Sequence, residues 1–158
     1  MNTARGPQTP QVSLVTGATG LLGSHIAERL ANRGDRVLAL VRPSSDIRFL
    51  NSIGVEHVVG DLRDPEACIR AVTGVDRVYH SAAKVGDWGT WAEFRAEVVE
   101  ATERLALASI GAGVSRFVQI SSTSALWPPA RGQSADRRIG SAGRGPLADL
   151  GRLHPGQG

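Results

Sequence analysis

The sequence of 158 residues holds one cysteine, one tyrosine and no long apolar run. The single Cys68 excludes an internal disulfide and favours a cytoplasmic location. It has no nearby His or Cys partner in the sequence, so we expect a buried thiol and no metal site. Because a transmembrane helix needs about 20 consecutive apolar residues, the sequence predicts no membrane span. Residues 1–11 lack the apolar segment of a signal peptide and are expected to form a flexible N-terminus.

An excess of charge is also lacking over most of the chain. The formal net charge of +3 is accounted for by residues 128–158, which contain five arginines and two aspartates. Residues 1–127 are formally neutral and therefore lack the basic surface that a nucleic-acid backbone requires. The basic segment contains no aromatic side chain on which a base could stack. The sequence thus predicts no nucleic-acid partner.

What the sequence does contain is a regular alternation of short apolar runs and amphipathic segments. With 41% hydrophobic and 21% charged residues, the composition is typical of a soluble globular domain. The predicted strands cover residues 12–16, 36–41, 55–59, 75–80 and 116–121. The predicted helices cover residues 21–32, 46–51, 65–72 and 90–112. This alternation predicts an α/β fold whose five-stranded parallel sheet is doubly wound, in the order 3-2-1-4-5.

The most informative stretch joins the first strand to the first helix and reads VSLVTGATGLLG, residues 12–23. Gly17, Gly20 and Gly23 form the G-x-x-G-x-x-G variant of the dinucleotide-binding fingerprint. The first permits a tight turn, the second lets a pyrophosphate approach the backbone, and the third lets the helix pack closely on the sheet. The free N–H groups at the start of the helix then point at the phosphates. The stretch predicts a Rossmann-like nucleotide site near the carboxyl ends of strands one and four.

The alternating pattern ends at Trp127. From Pro128 onward glycine, proline and arginine are frequent and no apolar periodicity remains. We expect residues 12–127 to form the nucleotide-binding domain, incomplete after its fifth strand, and residues 128–158 to form a disordered basic tail. An out-of-frame extension of a GC-rich gene would give such a tail. A functional basic arm is the alternative, although no specific pattern supports it.

Taken together, these features resemble the extended short-chain dehydrogenases/reductases, in particular the NAD-dependent epimerase/dehydratase and dihydroflavonol-reductase-like members. VTGATGLLG is similar to the phosphate loop of that family. GDL at 60–62 is similar to its adenine-contacting segment, and HSAA at 80–83 to the segment beside the nicotinamide ribose. SST at 121–123 is similar to its hydroxyl cluster after strand five. The resemblance covers residues 12–127.

The resemblance implies a set of residues that hold a nicotinamide dinucleotide. Within this set the Asp61 carboxylate would accept a hydrogen bond from the adenine amino group, and small side chains would let the backbone pass close to the nicotinamide ribose. The implied contact residues are Gly17, Thr19, Gly20, Leu21, Leu22, Gly23, Arg42, Asp61, Leu62, Ala82, Ala83 and Ser121.

The end of the second strand bears on which dinucleotide is bound. An NAD site commonly has a carboxylate here for the ribose 2′-OH, whereas this sequence has Val41 followed by Arg42. A guanidinium binds a 2′-phosphate through charge-assisted hydrogen bonds, and a carboxylate would repel that phosphate. The residues therefore favour NADP over NAD, with an ordinary solvated Arg42 as the alternative.

The catalytic groups of the family are only partly present. The resemblance implies a Ser or Thr hydroxyl at the substrate oxygen, a Tyr that transfers the proton, and a Lys four residues after it. Thr123 matches the hydroxyl position. No Tyr-x-x-x-Lys occurs in the sequence, and its one tyrosine, Tyr79, lies in the predicted fourth strand. His80 could move a proton in principle, but packing beside the cofactor segment explains it more simply.

Two further stretches bear on the substrate end of the site. GDWGTW at 86–91 resembles a loop beside the substrate in some family members, with a cap and core contact for a helix starting at Thr90 as the alternative. Val98 and Ala101 stand where the family usually has Asn and Gly. The loss of that Asn removes a polar contact and argues against turnover.

The sequence therefore predicts the nucleotide-binding domain of an epimerase/dehydratase-type oxidoreductase acting on a sugar-nucleotide or a carbonyl/alcohol substrate. Loss of a positioned general acid costs roughly 10²- to 10⁴-fold in rate, so this chain is expected to be inactive. A non-catalytic NADP-binding sensor or regulatory module is the alternative, and a reductase whose relay comes from a partner chain is a third. The resemblance also implies a homodimer, but the tyrosine-bearing helix of its interface has no counterpart here.

Overall fold

The computed structural model describes residues 10–84 and 90–122. Five parallel strands form one sheet in the order β3-β2-β1-β4-β5, which confirms the predicted topology. Every helix and strand described belongs to a unit that ends at Ser121. The strands are β1 Val12–Thr16, β2 Arg36–Val41, β3 Glu56–Val59, β4 Arg77–His80 and β5 Arg116–Gln119.

Helices connect each strand to the next, as parallel pairing of successive strands requires. They are α1 Leu21–Asn32, α2 Arg48–Ser52, α3 Pro65–Val72, α4 Trp91–Phe94 and α5 Ala101–Gly111. The predicted bounds of α1 and α3 are confirmed. α3 begins where the sequence provides a cap: the Asp64 carboxylate accepts the Glu66 N–H at 3.0 Å, and Pro65 occupies the first helical position.

The predicted long helix over residues 90–112 is wrong in its middle. A π-helical segment, Arg95–Glu100, separates α4 from α5. Each π turn takes in more residues than an α turn, and such segments are frequent at functional sites. The apolar periodicity does not reveal the segment because Phe94, Val98 and Ala101 are spaced by four and three residues, as on one face of an α-helix.

Other boundaries differ by one or two residues, each for a local reason. α2 starts at Arg48 rather than at residue 46 because the Asp46 carboxylate accepts the Arg48 N–H at 3.1 Å, a turn that precedes the helix. β4 starts at Arg77 rather than at residue 75 because the Val75 N–H is bonded to the Val72 carbonyl, which ends α3. The regular strand β5 stops at Gln119, although the Ile120 N–H still reaches the His80 carbonyl at 2.9 Å.

The apolar core lies in two layers, one on each face of the sheet. On one face α1 and α2 cover side chains of β1 and β2, such as Val15 and Ala39. On the other face α3 and α5 cover Leu14 and Val78, and Leu105 is fully buried there. Phe117 of β5 also packs into this second layer, so α5 covers one face of the strand. Within the described ranges, none of the helices has the length and apolarity to span a bilayer.

Candidate functional site

A cleft of about 470 Å³ lies at the carboxyl edge of the sheet. Thr16 pairs with both Leu40 and His80 at this edge, so the cleft opens where the strand order reverses on either side of β1. This is the position at which open α/β sheets bind ligands. Eleven of the twelve predicted contact residues line it: Gly17, Thr19, Gly20, Leu21, Leu22, Gly23, Arg42, Asp61, Leu62, Ala82 and Ala83.

The glycine loop has the shape that its three glycines were predicted to permit. Gly17 has φ +68°, and a Cβ at this position would lie 2.7 Å from the Ala82 nitrogen. The Gly20 N–H closes the turn on the Gly17 carbonyl at 3.0 Å. A Cβ on Gly20 would meet only that same carbonyl oxygen, at 3.3 Å. The tight turn and the approach to Ala82 thus require Gly17, whereas Gly20 leaves the cleft side of the loop open.

The N-terminus of α1 borders the cleft and is capped by no side chain. It also has no acidic residue in its first turn. In contrast, α3 is capped by Asp64, and α4 by a reciprocal pair of Thr90 and Glu93. Because the first amides of a helix have no acceptor within the helix, those of α1 remain available to an anion, and the helix dipole favours one there.

One end of the cleft is basic and is formed by the residues that follow β2 and β3. Arg63 holds Asp61 through two hydrogen bonds of 3.0 and 2.9 Å, and this interaction lowers the pKa of the Asp61 carboxyl. After β2, the Arg42 N–H donates to the Ser45 hydroxyl at 3.1 Å in a tight turn. Within the described ranges, no carboxylate lies within 4.0 Å of the exposed Arg42 guanidinium. Arg42 therefore forms no ion pair with the described residues, although its charge also helps to lower the pKa of the nearby Asp61 carboxyl.

Another part of the cleft wall carries a compensated charge. Lys84, the only lysine of the sequence, lies 2.9 Å from a Glu93 oxygen and 4.0 Å from a Glu97 oxygen. Its ammonium is 5.1 Å from the centre of the Phe94 ring. The hydrogen bond to Glu93 raises the pKa of Lys84. Lys84 and Glu97 both line the cleft, so the π-helical segment contributes directly to its wall.

The structure places several candidates outside this lining. Tyr79 packs against the first core layer, and His80 is only 1% exposed. Ser121 is described but does not line the cleft, and Thr123 lies outside the described residues. Thr90 caps α4, as one interpretation of the 86–91 segment expected, but Trp91 is 76% exposed and belongs to neither core layer of the described residues.

Five polar residues of the lining are absent from the predicted contacts: Ser45, Arg63, Ser81, Lys84 and Glu97. Ser45 and Arg63 lie within three residues of predicted contacts, Arg42 and Asp61, so turn chemistry after each strand could have indicated them. Glu97 has no local signal, because its place in the wall depends on the π-helical segment.

Comparison with known proteins agrees with this geometry. Residues 13–146 match the model of the NAD dependent epimerase/dehydratase family. A 2-alkyl-3-oxoalkanoate reductase of Stenotrophomonas maltophilia is 40% identical over 111 residues, which cover 70% of this chain and 33% of that protein. A putative dihydroflavonol 4-reductase of Synechocystis sp. is 36% identical over 124 residues, 77% of this chain and 36% of that protein.

Solved structures resemble the chain as well. A short-chain dehydrogenase/reductase superfamily protein from Agrobacterium tumefaciens with bound NAD matches with a TM-score of 0.56 and 35% identity. The match covers 72% of this chain and 33% of that one. The chain spans about a third of the length of each of these three proteins.

Proposed function

This chain belongs to the NAD dependent epimerase/dehydratase family, and we propose that its cleft binds a nicotinamide dinucleotide, with NADP preferred over NAD. The observation that carries the proposal is the convergence of the glycine loop, the uncapped N-terminus of α1 and an unpaired arginine on one cleft. These groups come from separate stretches of sequence. They supply backbone amides and one positive charge, which are what a pyrophosphate and a further phosphate require.

The described residues fit a dinucleotide in shape as well as in charge. A side chain on Gly17 would collide with Ala82, so the loop is closed on the sheet side and open on the cleft side. The first amides of α1 would hold the pyrophosphate. Ala82 and Ala83, with small side chains, would let the nicotinamide ribose lie close to the backbone after β4. Leu62 and the Asp61–Arg63 pair would border the adenine.

The preference for NADP rests on the different states of two arginines. Arg63 is engaged by Asp61, so its guanidinium is already neutralised. Arg42 has no ion-pair partner in the part of the chain that the structure describes. It directly follows β2, the strand whose end commonly distinguishes the ribose 2′-OH of NAD from the 2′-phosphate of NADP. A 2′-phosphate on the adenosine ribose would give this guanidinium its counter-ion.

We further propose that the chain by itself does not turn over substrate. A bound nicotinamide supplies a hydride, but the protein must also position the substrate oxygen and move its proton. The sequence has one tyrosine and one lysine, Tyr79 and Lys84, and neither is in a Tyr-x-x-x-Lys pair. Tyr79 is half-buried and packs against the first core layer, and the Lys84 ammonium is paired with Glu93, so they do not form the relay.

A second candidate function follows from this missing pair. A domain that binds NADP without turnover would act as a nucleotide sensor or a regulatory module. The cleft alone does not distinguish such a module from the nucleotide-binding part of a larger enzyme. The partners that the domain binds would distinguish them.

Calorimetric titration of the purified 158-residue chain with NADP and with NAD tests the proposal. We expect a dissociation constant in the micromolar range for NADP and a weaker one for NAD. In parallel, NADPH absorbance should stay constant when carbonyl substrates are added. Absence of binding heat with both NADP and NAD would refute the binding proposal. Consumption of NADPH would refute the proposed inactivity.

A further inference from the structure

A buried histidine connects three elements beneath the cleft. The His80 Nδ1 atom lies 2.5 Å from the hydroxyl oxygen of Thr16 in β1, and its Nε2 atom lies 3.0 Å from that of Thr102 in α5. Thr16 is fully buried. The ring also lies 6.0 Å from the Phe117 ring in β5, which closes the pocket around the imidazole.

The hydrogen bonds continue from His80 to the wall of the cleft. The Ala82 N–H donates to the Thr16 hydroxyl oxygen at 3.4 Å, and the Ser81 hydroxyl donates to the Thr16 carbonyl at 2.8 Å. Ala82 is the residue against which Gly17 closes. On the other side, Thr102 directly follows Ala101, which lines the cleft. The histidine thus links the backbone after β4 to the helix opposite.

The partners of the Thr16 hydroxyl determine which atom donates the proton in each of these hydrogen bonds. If Nδ1 carried the proton, the Thr16 oxygen would accept from both Nδ1–H and Ala82 N–H, and its own buried proton would have no acceptor among its contacts in the structure. A buried donor without a partner costs about 1–3 kcal/mol. With the proton on Nε2, Ala82 donates to Thr16, Thr16 donates to Nδ1, and Nε2–H donates to Thr102. The fully buried Thr16 hydroxyl then has both a donor and an acceptor, and bonds aligned in one direction strengthen one another.

We propose that His80, as the neutral Nε2–H tautomer, is a positioning residue that fixes the Ala82 amide and hence the wall of the dinucleotide cleft. This inference rests on the proposed function of the cleft. His80 does not line the cleft and is not a catalytic residue. Burial lowers the pKa of His80 to about 4, which agrees with a neutral ring at pH 7.

Three variants at residue 80 separate this role from simple filling of space. His80→Asn keeps an acceptor near the position of Nδ1, His80→Gln carries its amide toward the position of Nε2, and His80→Phe keeps the ring without either contact. Because only the Thr16 link leads to Ala82, we expect Asn to restore NADP affinity to within about threefold of wild type. Gln and Phe should each weaken it by about tenfold, the equivalent of one hydrogen bond.

Two readouts need no nucleotide. Long-range ¹H–¹⁵N correlation of the His80 ring at pH 7 should show an unprotonated Nδ1, and amide exchange at Ala82 should accelerate about tenfold in His80→Phe but not in His80→Asn. If His80→Phe does not fold, Thr16→Val compared with Thr16→Ser asks the same question, because only serine retains the hydroxyl.

A protonated Nδ1 would overturn the proposal. So would equal Ala82 exchange together with equal NADP affinity in Thr16→Ser, which keeps the hydroxyl, and Thr16→Val, which lacks it. If the wild-type chain binds neither dinucleotide, the proposed function of the cleft fails, while Ala82 exchange still decides whether His80 positions that amide.

Discussion

Gly23 in the first turn of α1 lies directly on the carbonyl of Gly17, so closely that a Cβ built on Gly23 would be 2.1 Å from the Gly17 oxygen. The same Cβ would lie 2.8 Å from the Ser81 hydroxyl oxygen. The helix, the turn before it and the segment after β4 therefore meet at one point. This contact between two glycines sets the shape of the phosphate-facing loop.

Replacing Gly23 by alanine should therefore disrupt the loop. The added methyl group collides with backbone atoms, and such overpacking costs about 3 kcal/mol. We expect lower stability in urea unfolding and loss of NADP heat in calorimetry. Gly111→Ala is the matched control, because a Cβ there meets nothing within 4 Å and Gly111 ends α5 with an ordinary φ. Equal effects of the two substitutions would contradict this account.

Arg42→Gln should change the choice of dinucleotide. Losing a charge-assisted hydrogen bond to a 2′-phosphate weakens binding by about tenfold or more, whereas NAD has no such phosphate. We expect the NADP dissociation constant to rise and that of NAD to stay within about twofold. The control is Arg36→Gln at the other end of β2, which removes a guanidinium that pairs with Glu56 at 2.7 Å. It should change neither the NADP nor the NAD dissociation constant. An equal loss for both dinucleotides in Arg42→Gln would refute the assignment.

Acid should destabilise the fold through His80. Burial lowers the pKa of His80 to about 4 from 6.5, so below pH 6.5 the unfolded chain takes up a proton that the folded chain resists. The free energy of unfolding should fall with pH between 6.5 and 4, by about 3 kcal/mol in total. Denaturant unfolding of the wild type and of His80→Asn over this range measures the difference. If the free energy of unfolding depended on pH equally in the two proteins, His80 would not be the source of the loss of stability in acid.

Cys68 should report on opening of the fold. Its side chain is 1% exposed, and burial raises the pKa of the thiol, so little reactive thiolate is present. We expect a disulfide reagent to modify native protein far more slowly than urea-unfolded protein. Saturating NADP should slow the reaction further, since a ligand of the folded state stabilises it. The loop variant Gly23→Ala should lose this protection by NADP. If native and urea-unfolded protein were modified at equal rates, Cys68 would not be buried.

Local chemistry made much of this fold predictable. The bounds of α1 followed from apolar periodicity and from Gly34 as a stop, and the start of α3 followed from the Asp64–Pro65 cap, because caps and periodicity act over a few residues. Strand order followed from the alternation of strands and helices, which is typical of doubly wound sheets. The π-helical segment was missed because Phe94, Val98 and Ala101, which lie in it and on either side of it, keep a spacing that an α-helix also satisfies.

By itself the sequence determined the helices, the strands and the glycine loop, because each depends on spacing within a short stretch. The regular alternation of strands and helices along the chain then indicated a doubly wound parallel sheet and its order. Only the tertiary structure decided that Glu97 stands beside Lys84 in the cleft wall, and that Arg63 is neutralised while Arg42 is not. It also decided that His80 is buried between Thr16 and Thr102. These residues are brought together by strand register and helix packing, and their charges and hydrogen bonds depend on neighbours that are distant along the chain.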